Sequence, residues 1–345
     1  MIESLQHFFA NWITQDVMVV AFFAAAIALL VRGSRNERWQ RAWKFMKGDR
    51  LGLVAGVLII GYLIIGGLDL LKISPTTSVF DWLANAVVGL QDEPTKASYS
   101  APFATHTFST AKPEPLQFPG RHFLGTTQIG KDTFIQALKG SSTALLLGGL
   151  TSLIYLPLGI LLGISAGYYR GWVDDAIQYI YSTIMAIPDI LFLIAFIMVF
   201  GKGVGTMSWA LALTSWISLC RLLRGETMRL TERQFISAAR ALGQSHWNII
   251  TRHLLPNVMH LVLINFVLGF SGVVLTEAIL SYLGVGTPIG TASWGQMIDG
   301  ARGELSREPV VWWNVSAATV ALFGLVLSLN LFADSLRRAF DPKRS

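Results

Sequence analysis

Apolar positions in this chain gather into long, nearly unbroken runs, and most polar residues are confined to the stretches between them. Crossing a hydrocarbon core of about 30 Å as a helix takes roughly 20 such residues. Seven runs qualify as candidate spans: Val17–Val31, Leu51–Leu71, Ser142–Ala166, Ala176–Phe200, Thr206–Leu223, Val258–Leu280 and Val311–Ala333. The first is the shortest. Ahead of it Ile2, Leu5, Phe8, Phe9, Trp12 and Ile13 fall near helical spacing, which suits either a short amphipathic helix in the membrane interface or an extension of the first span. The pattern predicts an all-α polytopic membrane protein of about seven transmembrane helices.

Composition points the same way. With 52% hydrophobic and only 14% charged residues, a 345-residue chain is suited to a bilayer and poorly suited to a soluble fold. Basic residues then set the topology, because Lys and Arg accumulate on the cytoplasmic side. Arg32 to Arg50 holds seven of them against two acids, Arg221 to Arg252 holds six, the tail from Arg337 holds four and Arg170 adds one. These 18 of the 27 basic residues fall on one side if all seven spans are present. The N-terminus is therefore expected outside and the C-terminus in the cytoplasm. The formal net charge of +6 needs no nucleic-acid partner, since charge flanking the membrane accounts for it. No basic residue precedes the first run, so it reads as an anchor and not as a cleaved signal peptide.

Between the second and third spans, Lys72 to Gly140 is a long outward segment carrying Pro75, Pro94, Pro102, Pro113, Pro115 and Pro119. That proline density rules out one regular element and predicts extended and turn structure, with short helices such as Val79–Val88. Gly125, Gly130 and Lys131 nearly match a phosphate-binding loop. Asp132, however, stands where Ser or Thr would hold magnesium, and the segment is predicted outside the membrane, away from ATP. Nucleotide binding by this chain is rejected.

One polar block stands apart from the other connections. Phe235 to Asn257, FISAARALGQSHWNIITRHLLPN, is rich in small residues and interrupts apolar spans on both sides. Ala239 and Gly243 lie four apart, so a helix would place them on one face with little bulk, where another surface can approach. Pro256 should end the helical run and turn the chain back toward the bilayer. This block resembles the EAA-loop permeases of ATP-binding-cassette importers, specifically their dipeptide/oligopeptide branch, with Ser237 in place of the family's usual Glu. The resemblance runs from about Leu51 to Pro342. It includes HFLGTTQIGKDTF before the third span, LTEAILSYLGVG and TASWGQMI around the sixth, and NLFADSLRRAFDP at the end.

The resemblance implies that residues 224–257 form a cytoplasmic coupling-helix loop docking into an ATPase groove, through Ser237, Ala238, Ala239, Gly243, His253, Leu255 and Pro256. It implies a second homologous permease subunit, two ATP-binding-cassette ATPase subunits carrying ATP and magnesium, and an external solute-binding protein. No cofactor is expected on this chain. Residues 1–50 would be an extra anchor span and basic linker, and residues 51–342 the permease membrane domain with external insert 72–140.

Ionisable residues inside spans are costly and so informative. Asp189 follows Pro188 near the middle of the fourth run. Both are placed on the translocation path, or alternatively Asp189 makes an internal polar contact to a neighbouring helix. Glu277, with Trp294 in the following outward loop, is read as structural or as part of an outer gate. His246, His253 and His260 recur every seven residues, roughly 10 Å apart on a helix, and cannot share a metal ion. His246 is read as a solvated loop histidine and His260 as lying at a membrane boundary. The single Cys220 excludes an internal disulfide and reads as a packed small residue. The expected function is that of an inner-membrane importer permease moving di- or oligopeptides. The alternative, an ion-coupled secondary transporter, would require a relay of intramembrane carboxylates and internal repeats that the sequence lacks.

Overall fold

The computed structural model describes residues 16, 37–74, 77–88, 98–108, 114–116, 119–288 and 290–340. The first candidate span, the amphipathic stretch before it and the tail beyond residue 340 lie outside the described residues. Helices α1 (Glu37–Gly48) and α2 (Arg50–Leu70) come first, followed by a small antiparallel pair, β1 (Lys72–Ser74) and β2 (Thr77–Ser78), and helix α3 (Val79–Val88). Then come α4 (Thr133–Tyr169), α5 (Gly171–Met185), α6 (Asp189–Phe200), α7 (Val204–Thr231) and α8 (Gln234–Ala241). A helical run His246–Tyr282 contains α9 (Leu255–Tyr282), and α10 (Trp294–Gly300) and α11 (Trp313–Ala339) complete the chain.

The predicted spans within the described residues are largely helical, with one broken. By length and apolarity, four helices can cross a membrane: Arg50–Leu70, Thr133–Tyr169, His246–Tyr282 and Trp313–Ala339. The pair α5 and α6 makes a fifth if counted as one span. Helix α7 is not among them, because Thr, Ser and basic residues dilute its apolar run. It is nonetheless enclosed by protein, with Met207, Ala210, Leu211, Ala212, Leu219, Cys220 and Leu223 all buried.

Two regions depart from the expected helices. The Ala176–Phe200 run is not continuous. It breaks after Met185, and α5 and α6 meet at 82°. Pro188 lacks the N–H of a helix interior and disfavours helical geometry in Ile187, so α6 restarts with Pro188 as its N-cap. Pro256, conversely, does not end its helix. The run from His246 widens to a π-helix over Ile249–Leu254, where the Leu255 N–H donates to the Ile250 carbonyl, and continues through Pro256 into α9. The wider π turn moves carbonyls away from the proline ring and removes the clash an α turn would impose. Asn257 Nδ2 donates to the His253 carbonyl at 2.6 Å, supplying a donor near the one that the proline lacks.

The chain divides into two compact units. The first comprises Met1–Leu146 and Glu277–Ser335, the second Leu147–Thr276 and Leu336–Ser345.

In the first unit Lys139 of α4 meets Asp81 of α3 at 2.7 Å and Asp69 of α2 at 3.4 Å. The hydroxyls of Ser78 and Ser142 donate to Asp69 at 2.9 and 2.6 Å. Helix α4 is capped by Asp132, whose Oδ1 accepts the Ile135 N–H and whose Oδ2 lies 2.8 Å from Nδ1 of buried His122. The residue that spoils the phosphate-loop match is therefore a helix cap. Trp294 is buried and donates from Nε1 to the Ala137 carbonyl at 2.7 Å. Glu277, also buried, accepts the hydroxyls of Ser281 and Ser293, each at 2.7 Å. Together they hold α10 against the end of α9 and the start of α4.

In the second unit Gly159, Gly163 and Gly167 form a stripe along α4 that lets α7 approach closely. A Cβ at these positions would lie 2.9, 2.7 and 2.6 Å from Leu219, Cys220 and Arg224 atoms. The core continues through Tyr168, Trp216, Ile236, Ile249, Leu254 and Val258.

Candidate functional site

The loop between α7 and α9 is built on that core. Arg233 takes an extended conformation as N-cap of α8, which turns Ile236 and Ala239 inward, 0% and 5% exposed. Ile249 and Leu254 are buried beside them. Four inward side chains thus fix a segment that sequence composition alone would leave as a polar loop.

Flanking this buried side is an open apolar edge. Phe235, Ala238 and Leu242, at i, i+3 and i+7, share a face, and all three are exposed, Leu242 at 81%. Trp247, at the start of the next helical run, is 71% exposed. Large apolar side chains presented this openly make a candidate contact surface.

The expected pairing of Ala239 with Gly243 on one small-residue face is corrected here. Ala239 points into the core, whereas Gly243 lies beyond the end of α8 with φ +71°. Its N–H donates to the Arg240 carbonyl and that of Gln244 to the Ala239 carbonyl, closing the helix with a left-handed residue. Gly243 is a helix terminator because β-carbon-bearing residues resist that conformation.

The rest of the loop is pinned by side chains. Ser245 Oγ caps the next turn by accepting the Asn248 N–H. His253 Nε2 lies 2.9 Å from Gln244 Oε1, bridging the two ends of the loop. His246, expected to be solvated, is exposed, and its Nδ1 lies 2.8 Å from the Tyr168 hydroxyl. The Arg240 guanidinium sits 5.2 Å from the centre of the same tyrosine ring. Arg170, at the corner between α4 and α5, reaches the Met228 carbonyl, Thr231 and Glu232 at the end of α7. Of the other residues singled out in the loop, Ser237 and Pro256 are exposed, and Leu255 packs on the core.

A second feature lies at the helix break. The 82° bend opens a cleft of about 880 Å³ lined by Tyr181, Pro188 and Asp189 on one side and Thr214, Ser218, Arg221 and Arg224 on the other. Asp189 is the first residue of α6, not a mid-helix residue as expected, so its carboxylate sits at the positive end of the helix dipole. Arg224 is held by the Asp174 carboxylate, with Nη2 to Oδ2 at 2.7 Å. Asp189 and Arg221 take part in none of the ion pairs formed among the described residues. The cleft thus offers one negative and one positive group together with hydroxyls. Among the described residues no three His, Cys, Asp or Glu side chains converge as metal ligands would.

Sequence reasoning missed the outward face of α8, the Tyr168–His246 contact and Arg221. Phe235 and Leu242 carried a signal in their seven-residue spacing, but the inward side of α8 was undecided without its neighbours.

Residues 159–345 match the family model of the binding-protein-dependent transport system inner membrane component. The chain is 35% identical over 222 residues to a glutathione transport system permease protein of Pectobacterium atrosepticum, covering 64% of this chain and 73% of that one. It is 29% identical over 306 residues to a dipeptide transport system permease protein of Alkalihalophilus pseudofirmus, covering 88% and 90%. An oligopeptide transport system permease protein of Bacillus subtilis is 30% identical over 223 residues, covering 64% and 72%. Among solved structures, a methionine ABC transporter chain aligns over 60% of this chain and 93% of its own at 20% identity, with a TM-score of 0.45, too weak a likeness to carry an argument.

Proposed function

The chain belongs to the family of binding-protein-dependent transport inner membrane components, as a permease subunit of an ATP-binding-cassette importer, and we propose that it moves di- or oligopeptides inward. It is a multi-pass inner-membrane protein. In the proposed assembly two ATPase subunits, which bind the ATP and magnesium, dock under this chain and a second homologous permease. A solute-binding protein delivers cargo on the opposite side, and the N-terminus faces that outer side.

The observation that carries this reading is the open apolar face of Phe235, Ala238, Leu242 and Trp247 on a loop whose other side is locked into the membrane core. A rigidly anchored loop transmits displacement. When ATP draws the two ATPases together, force on this face passes through Ile236, Ala239 and the Tyr168–His246 contact into α4 and α9, biasing a two-state arrangement of the helices. No chemistry on the cargo is needed.

The substrate class rests on the peptide and glutathione relatives and on the character of the cleft. A peptide in water carries an ammonium and a carboxylate at its ends, and Asp189 and Arg221 supply one complementary charge each. Hydroxyls of Thr214 and Ser218 suit amide groups between them. The ion-coupled alternative finds no support among the relatives. Uptake of labelled short peptides by the reconstituted importer tests the reading. It should require ATP and the binding protein, and peptide uptake unchanged by loss of this chain would sink it.

A further inference from the structure

Helix α1 is twelve residues long and stands directly before the membrane-crossing α2, with only Asp49 between them. The Asp49 N–H donates to the carbonyls of Phe45 and Met46, so the two helices join in a tight turn. Because α2 begins at Arg50, α1 starts at the bilayer boundary and extends no further than about 18 Å along its own axis. Trp43 and Met46, three apart, share an arc, whereas Lys44 and Lys47 fall outside it.

Burial separates these residues further. Met46 is covered by the chain, but Trp43 is 60% exposed and Phe45 37%, and Lys44 and Lys47 are exposed. An exposed indole on a helix continuous with a spanning helix is positioned for the interface between headgroups and acyl chains. Lys44 and Lys47 would then lie among the headgroups, where cations favour anionic phosphates over zwitterionic ones. We propose that α1 lies in the membrane surface on the Arg50 side and binds anionic phospholipid, with Trp43 immersed and Lys44 and Lys47 on headgroup phosphates. This holds α2 at a fixed depth, whatever cargo the importer carries.

The test uses the complete chain with Cys220→Ala, reconstituted in vesicles of phosphatidylcholine alone or mixed with phosphatidylglycerol. A spin label is attached to a cysteine replacing Trp43 or, separately, Lys44. At position 43 saturation by oxygen should exceed saturation by a water-soluble nickel chelate severalfold, with the order reversed at position 44. Phosphatidylglycerol should deepen the label at 43, and Lys44→Glu with Lys47→Glu, combined with the label at 43, should abolish that deepening. Equal nickel access at 43 and 44 would place α1 in water, and exclusion of both reagents at 43 would mean that protein covers it. Either result, or immersion indifferent to lipid charge, would overturn the proposal.

Discussion

The Tyr168 hydroxyl and His246 Nδ1 lie 2.8 Å apart, joining the last turn of α4 to the first turn of the helical run that follows the loop. Tyr169 packs against the same imidazole with ring centres 6.1 Å apart. This contact links a membrane helix directly to the segment proposed to receive force. Tyr168→Phe keeps the ring and removes the hydrogen bond, a loss of about 1 kcal/mol. The variant should insert normally, show faster amide hydrogen exchange over residues 246–254 and lose part of its transport-coupled ATP hydrolysis. Unchanged exchange would show that the contact does not hold the loop.

Gly243 provides a test of local conformation. At φ +71° an alanine has open space around its Cβ but an unfavourable backbone, so Gly243→Ala should destabilise by roughly 1–2 kcal/mol. Gly225, within α7, likewise has open space around its Cβ and no left-handed geometry, and there alanine should be neutral or stabilising by up to about 1 kcal/mol. Thermal unfolding of both variants in detergent checks the contrast, and equal effects would contradict the helix-terminating role.

The pair Asp174 and Arg224 joins α5 to α7, with the aspartate side chain 9% and the arginine 25% exposed. Removing one partner strands the other. Arg224→Met alone should therefore destabilise by about 3 kcal/mol, while Arg224→Met with Asp174→Leu recovers much of the loss. A double variant as unstable as the single one would show that charge pairing is not what joins these helices.

Acid sensitivity is expected in the first unit. Burial tends to raise the Asp81 pKa, but the hydrogen bond and charge of Lys139, with donors from Ser78, outweigh it and hold the carboxyl below its ordinary 3.8. A folded-state pKa below the unfolded value means that the stabilisation is fully present above pH 3.8 and fades as pH falls through the lower folded value. Asp81→Asn should lose stability near neutral pH, by roughly 1 kcal/mol for so partly exposed a pair, and show a flatter acid profile. Melting temperature against pH for both proteins measures this, and parallel profiles would contradict it.

Much of this architecture could be read from residue order, for physical reasons that also explain the failures. Helix α3 falls on Val79–Val88 as expected, because β2 and the proline-rich stretch bound a short apolar run. The 82° break before Asp189 has its local cause in Pro188, but the run Ala176–Phe200 reads as one continuous span. Pro256 misled because the π turn that accommodates it depends on Leu255 bonding to Ile250, a pattern with no compositional mark. The Tyr168 partner of exposed His246 was not legible because it lies 78 residues away in sequence. The loop stands out as a candidate site by its composition and family resemblance. Its outward face does not, since the choice between Ala239 and Ala238 depends on where Ile236 finds a core.

The central claim is that the face made by Phe235, Ala238, Leu242 and Trp247 receives the ATPase. Leu242 and Trp247 are 81% and 71% exposed, so replacing them leaves the core intact. Exposed Gln234→Ala serves as the control. The decisive measurement is capture of the ATPase subunits by detergent-solubilised importer, with transport-coupled ATP hydrolysis, for Leu242→Asp combined with Trp247→Asp. Loss of two central apolar anchors should weaken capture by about thirtyfold or more, about 2 kcal/mol, and abolish coupling, with melting temperature and Gln234→Ala unaffected. Normal capture and normal coupling in the stably inserted double variant would contradict the account.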